Sequence, residues 1–502
     1  MTDLLLTVDL GGSGLRASAV AQGGNVVASA ARPTPTHLDL PPLGRRWDPA
    51  MLEDALHTAI AGVVSAVAPR RIAAVACTGQ RIACAVLDAQ GATLYAGPNT
   101  DARGLTHGWR VDDAAAGELY ERTGRGLALL YAPARLLRLF EDEPDLATRV
   151  RHVVGTGEWL AHRLCGEVAT DACGAAELLA LDVHRNQSWT AVWEQLDLDP
   201  GWLPPLGIPG DRLGELTAAA ASATGLDPGT PVAVTPPDSM AALLGTGGAH
   251  RTCALVLAGS SMPVLLPAAE PRRDATRRTW GTPHPLGGFV CESNAGPTGT
   301  GWAWLAERLT GDIAGVTGAG AHALAERLAA SAPAAATGAL AFAGGASVLD
   351  ATRPSTFLPR MRVLLWPSEI LGAQVGAADL LRAGLEEVAH SARANLEQAE
   401  AAAGGPTGDV LLAGGMARSR LFAGILATVL GRPVAVAAET DATAVGAAAC
   451  AAVAAGWQPD LATAVASPAR PAVVIEPDDG TMAIYAEAHR AWRALYAQLE
   501  SL

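Results

Sequence analysis

Asp9 stands near the end of an apolar run, Leu4 to Leu10, that breaks into Gly11-Gly12-Ser13-Gly14-Leu15-Arg16. A glycine-rich turn fed by a buried strand lets backbone amides approach an anion closely, and a carboxylate at its mouth can orient a hydrated Mg2+. Short glycine motifs also build plain turns, and Val26 and Val27 follow at hairpin distance, so a phosphate cradle and a β-hairpin both fit these residues. In the second half of the chain the apolar stretch Cys253 to Ala258 runs into Gly259-Ser260-Ser261, which repeats the logic of the first loop. A third strand, Asp409 to Ala413, empties into Gly414-Gly415-Met416-Ala417-Arg418-Ser419. A repeated strand-to-loop unit predicts two related domains facing each other across a nucleotide cleft.

Composition removes several rival chemistries. The chain has 502 residues and no lysine, so all 36 basic residues are arginine. A Walker A loop, a protein kinase, a pyridoxal enzyme and a Schiff-base aldolase each need a lysine amine, which leaves amides, hydroxyls, arginine and metal for any nucleotide chemistry. The net charge of −14 argues against a nucleic-acid partner. Seven scattered cysteines, none in Cys-x-x-Cys spacing, read as reduced structural thiols without a zinc site. No run of about 18 uncharged apolar residues and no basic leader is found, so a cytoplasmic protein without a membrane partner is expected.

The elements that must position these loops follow from pattern. At this length two or three domains are expected. Asp48 and Pro49 open a helix whose Leu52, Leu56, Ile60 and Val63 recur at helical spacing. Gly23-Gly24-Asn25 reads as a hairpin turn with Val26 to Ala30 as the return strand, and Pro33 to Leu43 as irregular. Arg71 to Ala76 reads as a buried strand entering Thr78-Gly79-Gln80-Arg81, with Cys84 to Asp88 as its hairpin partner. Val232 to Val234 is a further strand, stopping at Pro236-Pro237 before Asp238 and a helical segment. Long helices are predicted over Ala378 to Gln398 and Asp441 to Ala454, and the stretches Ala329 to Thr337 and Ala401 to Thr407 read as surface connections. The order describes an α/β chain with helices on its sheets.

These stations, in this order, resemble the FGGY family of carbohydrate kinases over nearly the whole chain. The resemblance implies two actin-like, ribonuclease H-type domains flanking a nucleotide and substrate cleft, divided as residues 1–247 and 248–502. It places Gly11, Gly12, Ser13 and Arg16 in a first phosphate loop, with Asp9 organising Mg2+. Gly259 and Ser260 resemble the second phosphate loop, Gly414, Gly415, Met416 and Ser419 the turn that holds the adenosine end of ATP, and Gly299 a point of close approach to the nucleotide. Asp238 falls where the family keeps its catalytic aspartate, a general base that accepts the proton of a substrate hydroxyl. From local sequence alone Asp238 reads rather as the N-cap of the following helix, a role compatible with the base, and it is the family position that favours the base. Gln80, Arg81 and Asp101, with Asp238, are the expected substrate contacts; Gln80-Arg81 is similar to the glycerol and autoinducer-2 kinases of the family and Asn99-Thr-Asp101-Ala-Arg103 to the latter, Ile82 and Asn99 disfavour glycerol, and an ion pair tying the loops together is the other reading of Arg81 and Asp101.

Several residues depart from the family pattern. Thr235-Pro236-Pro237 replaces the glycines usual before the aspartate, and Pro133-Ala134-Arg135-Leu136-Leu137-Arg138 replaces lysine and tryptophan of a family signature. Trp302 and Trp304 are expected in a helix core, and His250 and His284 at the surface. The implied activity is ATP- and Mg2+-dependent phosphorylation of a hydroxyl on a small sugar, polyol or related polyhydroxylated metabolite. A kinase-derived sugar-binding or regulatory protein without phosphoryl transfer, and an actin-like ATPase with a protein partner, remain the alternatives. A homodimer is left open.

Overall fold

A computed structural model describes residues 3–499 except 13, 41–42, 69–70, 248–252, 347, 351–362, 369–373, 438–440 and 467–472. The chain lays down β1 (Leu4–Gly11), β2 (Gly14–Val20), β3 (Val26–Arg32), α1 (Pro49–Val67), β4 (Ile72–Gly79), β5 (Cys84–Leu87), β6 (Thr93–Gly97), α2 (Ala132–Asp142), β7 (His152–Gly155), α3 (Ala172–Glu177), β8 (Arg212–Glu215), β9 (Pro231–Ala233) and α4 (Asp238–Gly245). The second half adds β10 (Cys253–Leu257), β11 (Pro263–Ala268), β12 (Trp280–Pro283), β13 (Phe289–Asn294), α5 (Thr298–Ala314), α6 (Ala377–Ala403), β14 (Asp409–Ala413), α7 (Arg420–Leu430), β15 (Val434–Val436), α8 (Ala442–Ala454) and β16 (Val473–Ile475).

Two large sheets share one pattern. In the first, of order β8-β9-β4-β1-β2-β3, β1, β2 and β3 form an antiparallel meander, β4 and β9 join in parallel, and β8 closes antiparallel. In the second, of order β12-β13-β11-β10-β14-β15-β16, the same sequence of pairings runs from β13 to β16, with β12 added beyond it. The duplication suggested by the loops is therefore a duplication of whole sheets.

Strand β1 is apolar on both faces because both are covered. Leu4, Leu6, Val8 and Leu10 pack on Leu52, Leu56, Ile60 and Val63 of α1, whereas Leu5 on the other face meets the alanines of α8. Asp48 caps α1, accepting the Ala50 and Met51 N–H groups. The two halves exchange helices: α8, late in the chain, lies on the first sheet, and Met240 and Leu243 of α4 pack on Leu255, Leu265 and Val290 of the second. Where α4 and α8 cross, a Cβ on Gly245 would overlap Ala442 O and one on Gly446 would overlap Ala241 O. The two backbones touch, and only glycine allows it.

Several expectations change. Cys84–Leu87 does not pair with β4; it leaves the sheet and pairs with β6 and β7, which widens the first domain beyond the end of β4. The irregular segment after Pro33 contains a strand pair, Thr36–Leu40 with Gly44–Trp47. Helices extend over Gly318–Ser331 and to Ala403, so only the ends of the two supposed surface connections are loops, and Ala329 and Ala336 are buried. Trp302 is in the core, but Trp304 is 52% exposed because it lies on the opposite side of α5. His284 is buried, its Nδ1 accepting the Leu286 N–H, while His250 lies outside the described residues. Helix α1 is long and apolar enough to cross a membrane by composition, yet its apolar stripe is spent on the sheet.

Candidate active site

The end of β1 and the N-termini of α4 and α8 bring together Asp9, Asp238 and Asp441. Burial raises the pKa of Asp9 well above the carboxylate range, and the charges of Asp238 and Asp441 raise it further against the pull of Arg16. Asp9 Oδ1 is buried without a hydrogen-bond partner. Arg16, the cross-strand neighbour of Asp9, reaches across the molecule to Asp441 at 3.2 Å. Asp441 also caps α8 through the Ala444 N–H. From the sequence Asp441 is expected only as the start of a helix.

Asp238 is not a cap. Pro237 occupies the N-cap position, and Asp238 is the first residue of α4, with Oδ1 accepting the adjacent Ser239 N–H at 2.7 Å. Thr78 Oγ1 donates to Pro236 O at 2.8 Å and fixes the proline turn to the end of β4. Two prolines and one hydroxyl thus make the sharp exit for which the family usually uses glycine. Burial raises the Asp238 pKa to about 6; Arg81 and the Ser239 amide oppose the rise, and Glu177 and Glu292 add to it.

The first glycine loop is the tip of the β1–β2 hairpin, so the turn and the strand-fed loop are one object. Gly14 has φ +146°, and a Cβ there would overlap Arg32 O. Gly11 and Gly12 lie at the tip, and Ser13 lies outside the described residues. The other two glycine segments are one assembly. Gly414 has φ +92°, and a Cβ there would lie 2.6 Å from Ala258 O, which accepts the Met416 N–H at 3.1 Å. A Cβ on Gly299 would overlap Gly259 O, and Thr300 donates through both N and Oγ1 to Ser260 O at 3.2 Å. Gly299 is needed for that backbone contact. Gly415 and Ser260 remain exposed. The hydroxyl of Ser419 caps α7 through the Phe422 N–H and donates to Glu326 at 2.6 Å.

On the first domain Gly79, Gln80, Arg81, Thr156, Glu158, Glu177 and Thr235 line a recess beside Asp238, with room of about 20 Å³. That is about one water, so the recess is closed to a sugar as it stands. Arg81 fills the space: its guanidinium is bidentate on Glu292 of β13, with Nη2 donating to Oε1 at 2.6 Å, and Glu177 lies 3.7 Å from its Nη1. Burial works to raise the Glu292 pKa, and Arg81 overrides it and holds it low. Burial pushes Glu158, which accepts from Thr170 Oγ1, up to about 7. Gln80 spans two loops, donating to Gly11 O at 3.3 Å and accepting the Asn99 N–H at 2.9 Å.

Asp101 corrects the expectation of substrate contact. It is fully buried, and its carboxylate accepts from Arg45 N, Arg103 N and Nε and the Tyr95 hydroxyl, which uses its acceptor sites. It clasps loops. Arg135, at the lysine position of the family signature, is fully buried and donates to Ile82 O, Pro98 O and Asn99 O, fastening the lip of the recess. Sequence reasoning missed Glu177, Glu292 and Asp441. The signal for the first two was a lone acid inside an apolar run, Ala175-Ala176-Glu177-Leu178-Leu179 and Phe289-Val290-Cys291-Glu292.

The N-terminal domain model of the FGGY family of carbohydrate kinases matches residues 4–245 and its C-terminal domain model residues 254–455. The autoinducer-2 kinase of Escherichia coli (strain K12) is 28% identical over 518 residues, covering 98% of this chain and 94% of that protein. The xylulose kinase of Rhodospirillum rubrum superimposes with a TM-score of 0.81 at 26% identity, over 99% of both chains. The glycerol kinase of Plasmodium falciparum, solved with ADP, shares the fold at a TM-score of 0.80 and 16% identity, over 99% of this chain and 98% of that one. With both domain models matched in order over most of its length, the chain belongs to the FGGY family of carbohydrate kinases.

Proposed function

We propose that Asp238 is the general base in ATP-dependent phosphorylation of a hydroxyl on a small sugar, polyol or related polyhydroxylated metabolite. The observation that carries this is the uncapped position of Asp238 beside the recess, with a pKa of about 6. Such a carboxylate is ionised at neutral pH and still basic enough to take a proton as the acceptor oxygen bonds to phosphorus and the bond to the ADP oxygen breaks. The two helix N-termini at Asp238 and Asp441 present positive dipole ends to the transferred charge. The backbone at half-buried Gly11 and exposed Gly12, and at half-buried Gly259 and exposed Ser260, would cradle the phosphates, with Gly415 and Met416 toward the adenosine. The orphaned Asp9 carboxylate fits a hydrated Mg2+, whose chemistry would be to neutralise charge on the phosphates.

A coupled ADP-release screen over sugars and polyols tests the proposal. Substrate-stimulated turnover in the wild type and a loss of about 10²–10⁴-fold in kcat for Asp238→Ala are expected. Silence across the panel, or full activity in the variant, would overturn it.

A further inference from the structure

The recess beside Asp238 holds one group that no internal contact explains. Glu177 ends α3, is more than nine-tenths buried, and lines the recess. Its Oε1 is held by Arg125 Nη2 at 2.9 Å, whereas Oε2 has no hydrogen-bond partner. A buried carboxylate oxygen left unpaired is costly unless a donor arrives to meet it. Arg125 is committed to internal partners, and in the closed recess Arg81 is held by Glu292. Both Nη groups of Arg81 are on Glu292, and the Nη groups of Arg125 go to Gly281 O, Glu177 and Thr282 Oγ1. Glu158 and Glu177 are the carboxylates that line the recess, and Asp238 follows Pro237 of its lining.

We infer that Glu177 is a specificity-determining residue whose Oε2 accepts a hydrogen bond from a hydroxyl of the phosphoryl acceptor, so that the site takes neutral polyhydroxylated molecules and rejects the matching sugar acids. This rests on the kinase reading above. A hydroxyl donates to the waiting oxygen and satisfies it. A carboxylate at the same place brings no donor and sets like charge against Glu177. Entry requires Arg81 to move from the closed position, and Glu177 keeps its own support from Arg125 when it does, so the acceptor is held ready independently of that movement.

The test pairs neutral ketoses and alditols of four to six carbons with the aldonates of the same chain length, in coupled ADP release with wild type and Glu177→Gln. The glutamine keeps an oxygen for Arg125 but turns an amide donor toward the recess. The wild type should turn over a neutral acceptor at least tenfold more efficiently than its aldonate. Glu177→Gln should raise KM for that acceptor about tenfold, change kcat much less, leave KM for ATP unaltered, and narrow the preference against the aldonate. An unchanged acceptor KM in a folded Glu177→Gln, or a wild type that prefers aldonates, overturns the inference while leaving the kinase reading intact. If the variant does not fold, the wild-type preference alone decides. No ADP release from any wild-type pairing removes the kinase reading and this inference together.

Discussion

Asp238 sets how activity depends on pH. Its folded pKa of about 6 is above the ordinary carboxylate value, because burial and the charges of Glu177 and Glu292 outweigh Arg81 and the Ser239 amide, with Asp9 close by. A base works only when deprotonated. Activity limited by this group is therefore full above about pH 7 and falls about tenfold per unit below about pH 6. A pH profile of kcat/KM for the wild type should show this single acid limb, and a limb centred near the ordinary aspartate pKa would contradict the assignment. At this scale the sequence was legible where a local rule leaves a mark: glycine in a strand-fed turn, proline before an acid, an asparagine or aspartate at a helix start. It was opaque where function depends on convergence. Glu177, Glu292 and Asp441 are far from Asp9 and Asp238 in the chain, and no local pattern states that they share one space with them. The reverse error is Asp101, whose motif is conspicuous but whose carboxylate is consumed by Arg103, Arg45 and Tyr95.

At the scale of elements, the site is held by the crossing of α4 and α8. Asp238 and Asp441 begin these two helices, and Gly245 and Gly446 let the helices touch, so the separation of the two acids depends on two absent methyl groups. Gly446→Ala should force the helices apart, at a cost of about 1–3 kcal/mol for overpacking, and move Asp238 relative to Asp9. The expected readout is a melting temperature lowered by a few degrees together with a kcat drop of about tenfold or more. An alanine at Gly424 in α7, where added bulk meets nothing, is the control and should leave kcat unchanged. The crossing could not be read from sequence. Alanine-rich composition showed that α8 packs closely, but which sheet receives it is a property of topology, and α8 lies on the sheet formed by the other half of the chain. Strands and most helices were legible from apolar spacing. The departure of Cys84–Leu87 from β4 was not, since a short strand next to another reads as its hairpin partner unless the third strand, His152–Gly155, is known to wait for it.

Over the whole molecule the two halves meet through charge as well as through exchanged helices. Arg81 to Glu292, Arg16 to Asp441, Arg125 to Gly281 O and Tyr120 to Thr279 O all join the first half of the chain to the second. On the proposed reading the Arg81–Glu292 pair obstructs the acceptor recess, and with about 20 Å³ left there an acceptor would enter when this pair parts. On that reading it would couple occupancy to the relation between the domains: breaking it would admit substrate, and remaking contacts between them would exclude water from the transferred phosphoryl group. Most of Arg81 and Glu292 is buried, so removing one charge leaves the other without its partner. Glu292→Gln should weaken closure in the absence of acceptor, giving a lower acceptor KM or a higher rate of ATP hydrolysis that yields no phosphorylated product. Comparing ADP release with acceptor phosphate formed, in wild type and Glu292→Gln, separates the two. A variant with wild-type KM and wild-type coupling would show that the pair only fastens the halves together, and the barrier to acceptor entry would then have to lie in the fastened lip at Ile82 and Arg135.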